Sequence, residues 1–459
     1  IDLGYFLQCA LIMGTDQARP FLEKPRFRKA LEYWIDTLTP PDPRNRNKRM
    51  YPPLGHTASG SSGGFSQSAF LALAAKVYRP IDRGFSLRCM RAWRACGSYI
   101  INWRDAGAHG CTVWAQPLCF IDRDLLDDDL ELEVADSRMC GKTGAMLRHR
   151  HGDGKGTEGF LMFKTGKNRG HFDGDEGSFI WYAYGTPMLI DYMTGYSPMM
   201  DQPWMNNRIS IDHRQDRRNP GRFLAHRFSP GIDFLCAEQT ISELQEVPEW
   251  PRRFRYQVFE YDRAPWEQVP EHRWRRHLLY LKPLETLVLL DDIAGTLPTD
   301  WSVHVLADNV RATGTTARFT GQLGIDLAVA FARPQEPDLL TSGFAHLGKY
   351  ERGQMGEYKR TWYWSREDIG EGDLFARTGG EHAMILRAHA QPGRPFLAML
   401  TAHRSDGPPP EIAVKPDHDG FELQTGAGEA DVSVDGDFTS WKVRLRTSSG
   451  EVRQELSIR

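Results

Sequence analysis

A chain of 459 residues with 40% hydrophobic and 11% aromatic content can bury a sizeable core and is expected to hold two or three domains. A formal net charge of −3 excludes the whole-chain positive field of a nucleic-acid binder. No apolar run reaches the roughly 18 residues of a membrane-spanning helix. Seven cysteines (Cys9, Cys89, Cys96, Cys111, Cys119, Cys140, Cys236) form no CxxC pair and no zinc-ribbon spacing, so they read as free thiols. Basic residues cluster in LRHRHGDGK (147–155), HRQDRRNPGR (213–222) and HRWRRH (272–277), which read as solvated surface or as a groove for an acidic ligand.

The chain opens on Ile1 without a methionine or a visible signal peptide, and IDLGYFLQCALIMG has the pattern of an amphipathic helix already under way. The expectation is a fragment or processed form that lacks earlier helices. The helical texture continues to about Glu133. In RPFLEKPRFRKALEYWIDTLTPP the residues Phe27, Leu31, Trp34 and Leu38 share a face, and Pro40 and Pro41 stop the helix. FSQSAFLALAAKVY and FSLRCMRAWRACGSYIINW repeat the theme, which predicts a series of helical hairpins. ASGSSGG (58–64) is a loop, and the acid-rich segment around Asp127 to Asp129 reads as a solvated linker.

Beyond DLLDDDLELEVADSR the texture becomes β. Short runs such as GFLMFKTG, HLLYLKPLETLVLLDDIAG, DLAVAFARP, FLAMLTAHR and WKVRLRTSSGEVRQELSIR are separated by Gly, Pro, Asp and Asn turns, which predicts a large antiparallel sandwich. The domain boundary is placed at 134/135, with a small C-terminal β subdomain from about 385.

The richest chemistry lies in residues 167–213. In GSFIWYAYGTPMLIDY, Phe179, Trp181 and Ala183 are expected on one face of a strand and Ile180, Tyr182 and Tyr184 on the other. His171, Asp173 and Asp175 alternate just upstream, so an extended backbone would present one histidine and two acids on a single face. That is half a metal site or an acid/base site.

The order H-x-D-x-D-x-G-S-F, then G-T-P-M-L-I-D, then N-N-R-I-S-I-D (206–212) resembles the β-sandwich of heparinase II/III-like polysaccharide lyases. That family shows His-x-His-x-Asp-x-x-Ser-Phe, Gly-x-Pro-Leu-Leu-x-Asp and His-Asn-Thr-Val-x-Val-Asp-Gly. GYFLQCALIMG, LTPPDP and YPPLGHT look like the later hairpins of its (α/α) toroid, and HRWRRHLLYLKPLETLVLLDDI looks like its strand that ends in an aspartate pair. The resemblance implies an α + β multidomain chain, a partial (α/α) toroid in 1–134 followed by the sandwich in 135–459.

It also implies β-elimination on a uronic-acid polysaccharide. The family's catalytic tyrosine falls on Tyr5 and its histidine beside the scissile bond on His171. Its metal ligands map to Asp173, Asp191 and Asn206, whose oxygens are expected to converge. Because two family histidines are replaced, oxygen donors favour calcium over zinc as the single divalent cation, with no organic cofactor. His56, Arg169, Trp204 and Arg208 are the substrate-binding candidates, through sugar stacking and carboxylate or sulfate contacts. The implied partner is an acidic polysaccharide or oligosaccharide and the implied location periplasmic or secreted. A catalytically inactive carbohydrate-binding relative and a glycoside hydrolase are the alternatives, the latter needing a carboxylate pair across a cleft. The sequence does not choose among glycosaminoglycan, alginate, ulvan or another uronan.

Overall fold

The computed structural model describes residues 2–43, 47–52, 68–98, 124, 131–151, 157–166, 174–191, 202–217, 219–247, 264–346, 361–365 and 382–458. The chain divides into two compact units, with the changeover between Asp136 and Ser137.

The first unit contains five helices among its described residues: α1 (Asp2–Met13), α2 (Thr15–Leu22), α3 (Pro25–Asp36), α4 (Ala69–Tyr78) and α5 (Arg83–Ala95). Five helices do not make a toroid evident, so the expected array of hairpins is met only as a small helical cluster. Pro25 starts α3, where its missing N–H costs nothing. The helix ends at Asp36 with Thr37 as cap, earlier than the Pro40–Pro41 pair suggests. Leu38 therefore leaves the helical face; the fully buried α3 residues are Leu31 and Ile35, one turn apart, while Phe27 and Trp34 pack at the rim. Asp82 caps α5 by accepting from the Phe85 N–H at 3.0 Å, and Arg28 of α3 donates to the same carboxylate at 2.6 Å.

The second unit is three layers of antiparallel sheet. The first sheet runs, in spatial order, Arg138–Met139, Gly144–Arg150, Glu158–Lys164, Phe179–Ala183, Thr186–Leu189, Thr299–Val305, His382–Ala390, Asp338–His346 and Thr361–Ser365, with Ile209–Ile211 also paired to Thr299–Val305. The second runs Ala307–Thr313, Thr316–Gly321, Ile325–Arg333, Phe396–Arg404, Thr286–Ala294, Glu267–Leu281, Ile232–Gln245 and Gln215–Asp216, with Arg222–Phe228 beside Ile232–Gln245. The third is a five-stranded meander from Glu411 to Ser457.

This layering explains the texture of the sequence. The second sheet is covered on both faces: Leu287, Leu289 and Ile293 pack toward the first sheet, while Val288 and Leu290 pack toward the third. Its central strands Thr286–Ala294, Ile325–Arg333 and Phe396–Arg404 accordingly read as near-continuous apolar runs, as doubly buried strands do. The third sheet has one wet face. Trp441, Val443 and Leu445 point inward, and Lys442, Arg444 and Arg446 point out, giving the alternation of WKVRLRT. The Trp441 indole donates to His277 Nδ1 at 3.0 Å and fastens the third sheet to the second. The small C-terminal subdomain starts at Glu411, later than expected from 385, because His382–Ala390 and Phe396–Arg404 are central members of the two larger sheets.

Candidate functional site

Phe179–Ala183 is buried on both faces, with Phe179, Trp181 and Ala183 in the main core as their alternation predicts. The turn that leads into it is held residue by residue. Asp175, fully buried, pairs with Lys164. Glu176 accepts through one oxygen from the Thr165 hydroxyl at 2.6 Å and from the Gly166 and Gly221 N–H groups at 2.7 and 2.8 Å. Burial pushes its carboxyl up, and those three hydrogen bonds work against that push. Gly177 adopts φ +76°, and a Cβ there would sit 2.3 Å from the Trp274 ring. The D-E-G-S-F order is thus a buried ion pair, a loop clamp, a glycine that only glycine fits, and a serine used next.

Asn207 is the hub of the site. Its N–H donates to Ser178 Oγ at 3.1 Å, its amide nitrogen donates to the carbonyls of Phe179 and Ile190 at 2.8 and 3.0 Å, and its amide oxygen accepts from the His304 N–H at 2.8 Å. One buried side chain therefore ties together the start of Phe179–Ala183, the segment leading into Asp191, the N-N-R segment and Thr299–Val305. Behind it stands Arg276, with Nε and Nη2 on the two oxygens of Asp291 at 2.7 and 2.9 Å and Nη1 on the carbonyls of Gly177 and Asn207 at 2.8 and 2.7 Å. Trp274 Nε1 donates to the same Asp291 at 2.7 Å.

Asp191 and Asn206 flank this hub directly, since Asn207 holds the residue before Asp191 and is itself the neighbour of Asn206. Asn206 is buried and oriented by donation of its amide nitrogen to the Gln202 carbonyl at 2.9 Å. Their oxygens are hard donors, the chemistry that suits calcium rather than zinc. Among the described residues no three His, Cys, Asp or Glu side chains are gathered as metal ligands. Tyr5 lies within α1. His56, Arg169, His171 and Asp173 lie outside the described residues.

Two expected substrate contacts are placed differently. Arg208 is buried, with Nη1 on the Gly174 carbonyl at 2.6 Å, Nη2 on Asp216 at 2.8 Å and Nε on the Ile209 carbonyl at 3.1 Å, so its donors are used inside the protein. Trp204 is equally buried and stacks on His213, with ring centres 4.2 Å apart at 26°. Neither presents a surface to a sugar; both shape the wall behind Asn206 and Asn207.

The structure adds a cluster on the outer face of the first sheet. Asp300 accepts from His213 Nδ1 at 3.0 Å and from His389 Nδ1 at 2.8 Å. Burial pushes the Asp300 carboxyl up, but the two imidazole hydrogen bonds and the charge of Arg387 outweigh it and hold it below the usual carboxylate range. A signal was available in TDWSVHV: Trp301, Val303 and Val305 alternate with Asp300, Ser302 and His304, a polar face at strand period.

Compared with solved structures, the chain aligns over 99% of its length with "Heparinase III", at TM-score 0.58 and 10% identity. It aligns over 92% with heparan sulfate lyase HepC from Pedobacter heparinus, at TM-score 0.53 and 10% identity. The antiparallel β-sandwich is similar in fold to the sandwich part of heparinase III. At this identity the likeness speaks for the heparinase III fold alone, and the chain spans 58% and 51% of those two structures. No family model and no curated protein matches the sequence.

Proposed function

We propose that the chain is a polysaccharide lyase that cleaves a uronic-acid-containing polysaccharide by β-elimination. The observation that carries this reading is the meeting, at Asn207, of the D-E-G-S-F turn, the Ile190–Asp191 segment and the N-N-R segment on a heparinase III fold. In this reading Tyr5 donates a proton to the departing glycosidic oxygen and, as phenolate, takes the C5 proton in syn elimination. His171 is the second base or the partner of the substrate carboxylate. Charge on that carboxylate builds as C5 loses its proton, so cationic and hydrogen-bonding groups aimed at it lower the barrier. Arg169 and His56 fill that part. Asp173, Asp191 and Asn206 would hold a calcium ion. The site of action is the periplasm or the outside of the cell, where polymeric substrates are met.

Incubating the protein with a panel of uronate polymers and following the near-ultraviolet absorbance of a 4,5-unsaturated sugar tests this. A rise with one polymer supports the lyase reading. Saturable binding of a polymer with no absorbance change favours a binding relative, the reading that the aspartate and asparagine at two of the family's histidine positions support.

A further inference from the structure

At the other end of Phe179–Ala183, several turns of the sandwich gather a second set of side chains that the proposed reaction does not use. Four to five strand residues separate it from Asn207, on the order of 15 Å. His149 and His151 stand two residues apart at the end of Gly144–Arg150, so their rings fall on the same side, with centres 4.5 Å apart at 80°. His151 Nε2 lies 2.5 Å from Glu285 Oε1, and the other Glu285 oxygen accepts from the Tyr280 hydroxyl at 2.6 Å. Glu285 and Tyr280 are fully buried. Tyr184 stacks on His151 at 4.9 Å and 23°, and Arg404 lies over the Tyr184 ring at 5.2 Å.

This arrangement is held against backbone preference. Glu285 has φ +42° and Tyr184 φ +51°, the left-handed region that disfavours a side-chain-bearing residue. Gly159 makes room for it, since a Cβ there would lie 1.9 Å from the Tyr280 hydroxyl and 2.3 Å from Glu285.

With Nε2 set against Glu285, Nδ1 is the ring nitrogen by which His151 would bind a metal. A carboxylate behind one ring nitrogen is the usual support of a metal-bound histidine, because it fixes both tautomer and orientation. Two imidazoles bound side by side to one ion at about 2.1 Å place their ring centres roughly 4.5–5.5 Å apart, the spacing already present.

We propose that His149 and His151 form a site for one borderline divalent transition-metal ion, Zn2+ being the reference case, with Glu285 as the positioning residue for His151. Water or an incoming ligand takes the remaining positions. Nitrogen donors set this site apart from the oxygen donors near Asn207, so calcium does not compete for it.

The test is calorimetric titration of the chelator-treated 459-residue chain with ZnCl2 in excess calcium, for wild type and the variants His149→Gln, His151→Gln and Glu285→Gln. One saturable site is expected, weakened at least tenfold in each histidine variant and about 10–100-fold in Glu285→Gln. Cu2+ at one equivalent should show electron-paramagnetic-resonance splitting from two imidazole nitrogens, reduced to one in His149→Gln. His149 is partly exposed, so its variant is expected to fold even where Glu285→Gln does not. Absence of saturable binding, or affinity unchanged in a folded His149→Gln protein, would overturn the proposal.

Discussion

Arg276 grips Asp291 through both carboxylate oxygens, at 2.7 and 2.9 Å, while its remaining nitrogen holds the carbonyls of Gly177 and Asn207. The pair lies between the two large sheets with both members buried, so its value is architectural: it holds the turn before Phe179–Ala183 and the N-N-R segment against the second sheet. Breaking it leaves a buried charge uncompensated, which costs far more than the pair's net contribution. Arg276→Met is expected to lower stability by roughly 3–5 kcal/mol in urea denaturation. The double variant Arg276→Met/Asp291→Leu should be less destabilised than either single change. A double variant worse than both would show that the carbonyl contacts, not the charges, dominate.

Gly177 gives a second measurement on the same turn. A methyl group there meets both an unfavourable φ of +76° and the Trp274 ring at 2.3 Å. Gly177→Ala should cost roughly 2–5 kcal/mol, the sum of a left-handed residue and overpacking. If stability changes by less than a tenth of that, the turn repacks freely and the tight Gly177–Trp274 approach is not a constraint.

Acid sensitivity follows from histidines buried in the neutral form. Burial holds His277 and His304 down to about 3, against about 6.5 in an unfolded chain. Below the unfolded value the unfolded chain takes up protons that the folded chain refuses. The stability present above about pH 6.5 is therefore lost progressively as pH falls toward 3. His277→Asn keeps an acceptor for the Trp441 indole but removes the titration. Between pH 6.5 and 4.5 its unfolding free energy, from urea titration, should fall less steeply than that of wild type, by up to about one proton, or roughly 1.4 kcal/mol, per pH unit. Parallel pH profiles for the two proteins would count against a neutral buried His277.

Residues close in sequence were the readable ones. Period-2 alternation placed Phe179, Trp181 and Ala183 in the core, and the G-S-F order marked the turn before them. Continuous apolar runs at 287–290 and 396–400 reflect a sheet covered on both faces, although the pattern alone did not say that a third layer supplied the second cover. What escaped depends on partners far along the chain. Arg208 reads as a surface cation until Gly174 and Asp216 are brought to it, and Asn207 looks no different from Asn206 until four separate backbone and side-chain groups meet on it. His213, Asp300 and His389 are spread over more than a third of the chain, and only strand pairing assembles them.

The catalytic assignment makes a different kind of prediction from the structural ones. Asn207→Ala removes a buried hub and leaves the carbonyls of Phe179 and Ile190 without their donor, so it should lower stability by about 3 kcal/mol or more and take activity down with it. Tyr5→Phe and His171→Ala delete groups proposed to touch substrate. Each should abolish most turnover with a melting temperature nearly unchanged, and substrate affinity should fall less than the turnover number, because the lost interactions are made in the transition state. Measuring 4,5-unsaturated product formation alongside thermal denaturation separates the two patterns. Wild-type turnover in both Tyr5→Phe and His171→Ala would remove them from the reaction. The proton transfers would then have to be sought among other imidazoles of the sandwich, and His213, held in one tautomer by Asp300 and stacked on Trp204 two residues from Asn206, is the first to examine.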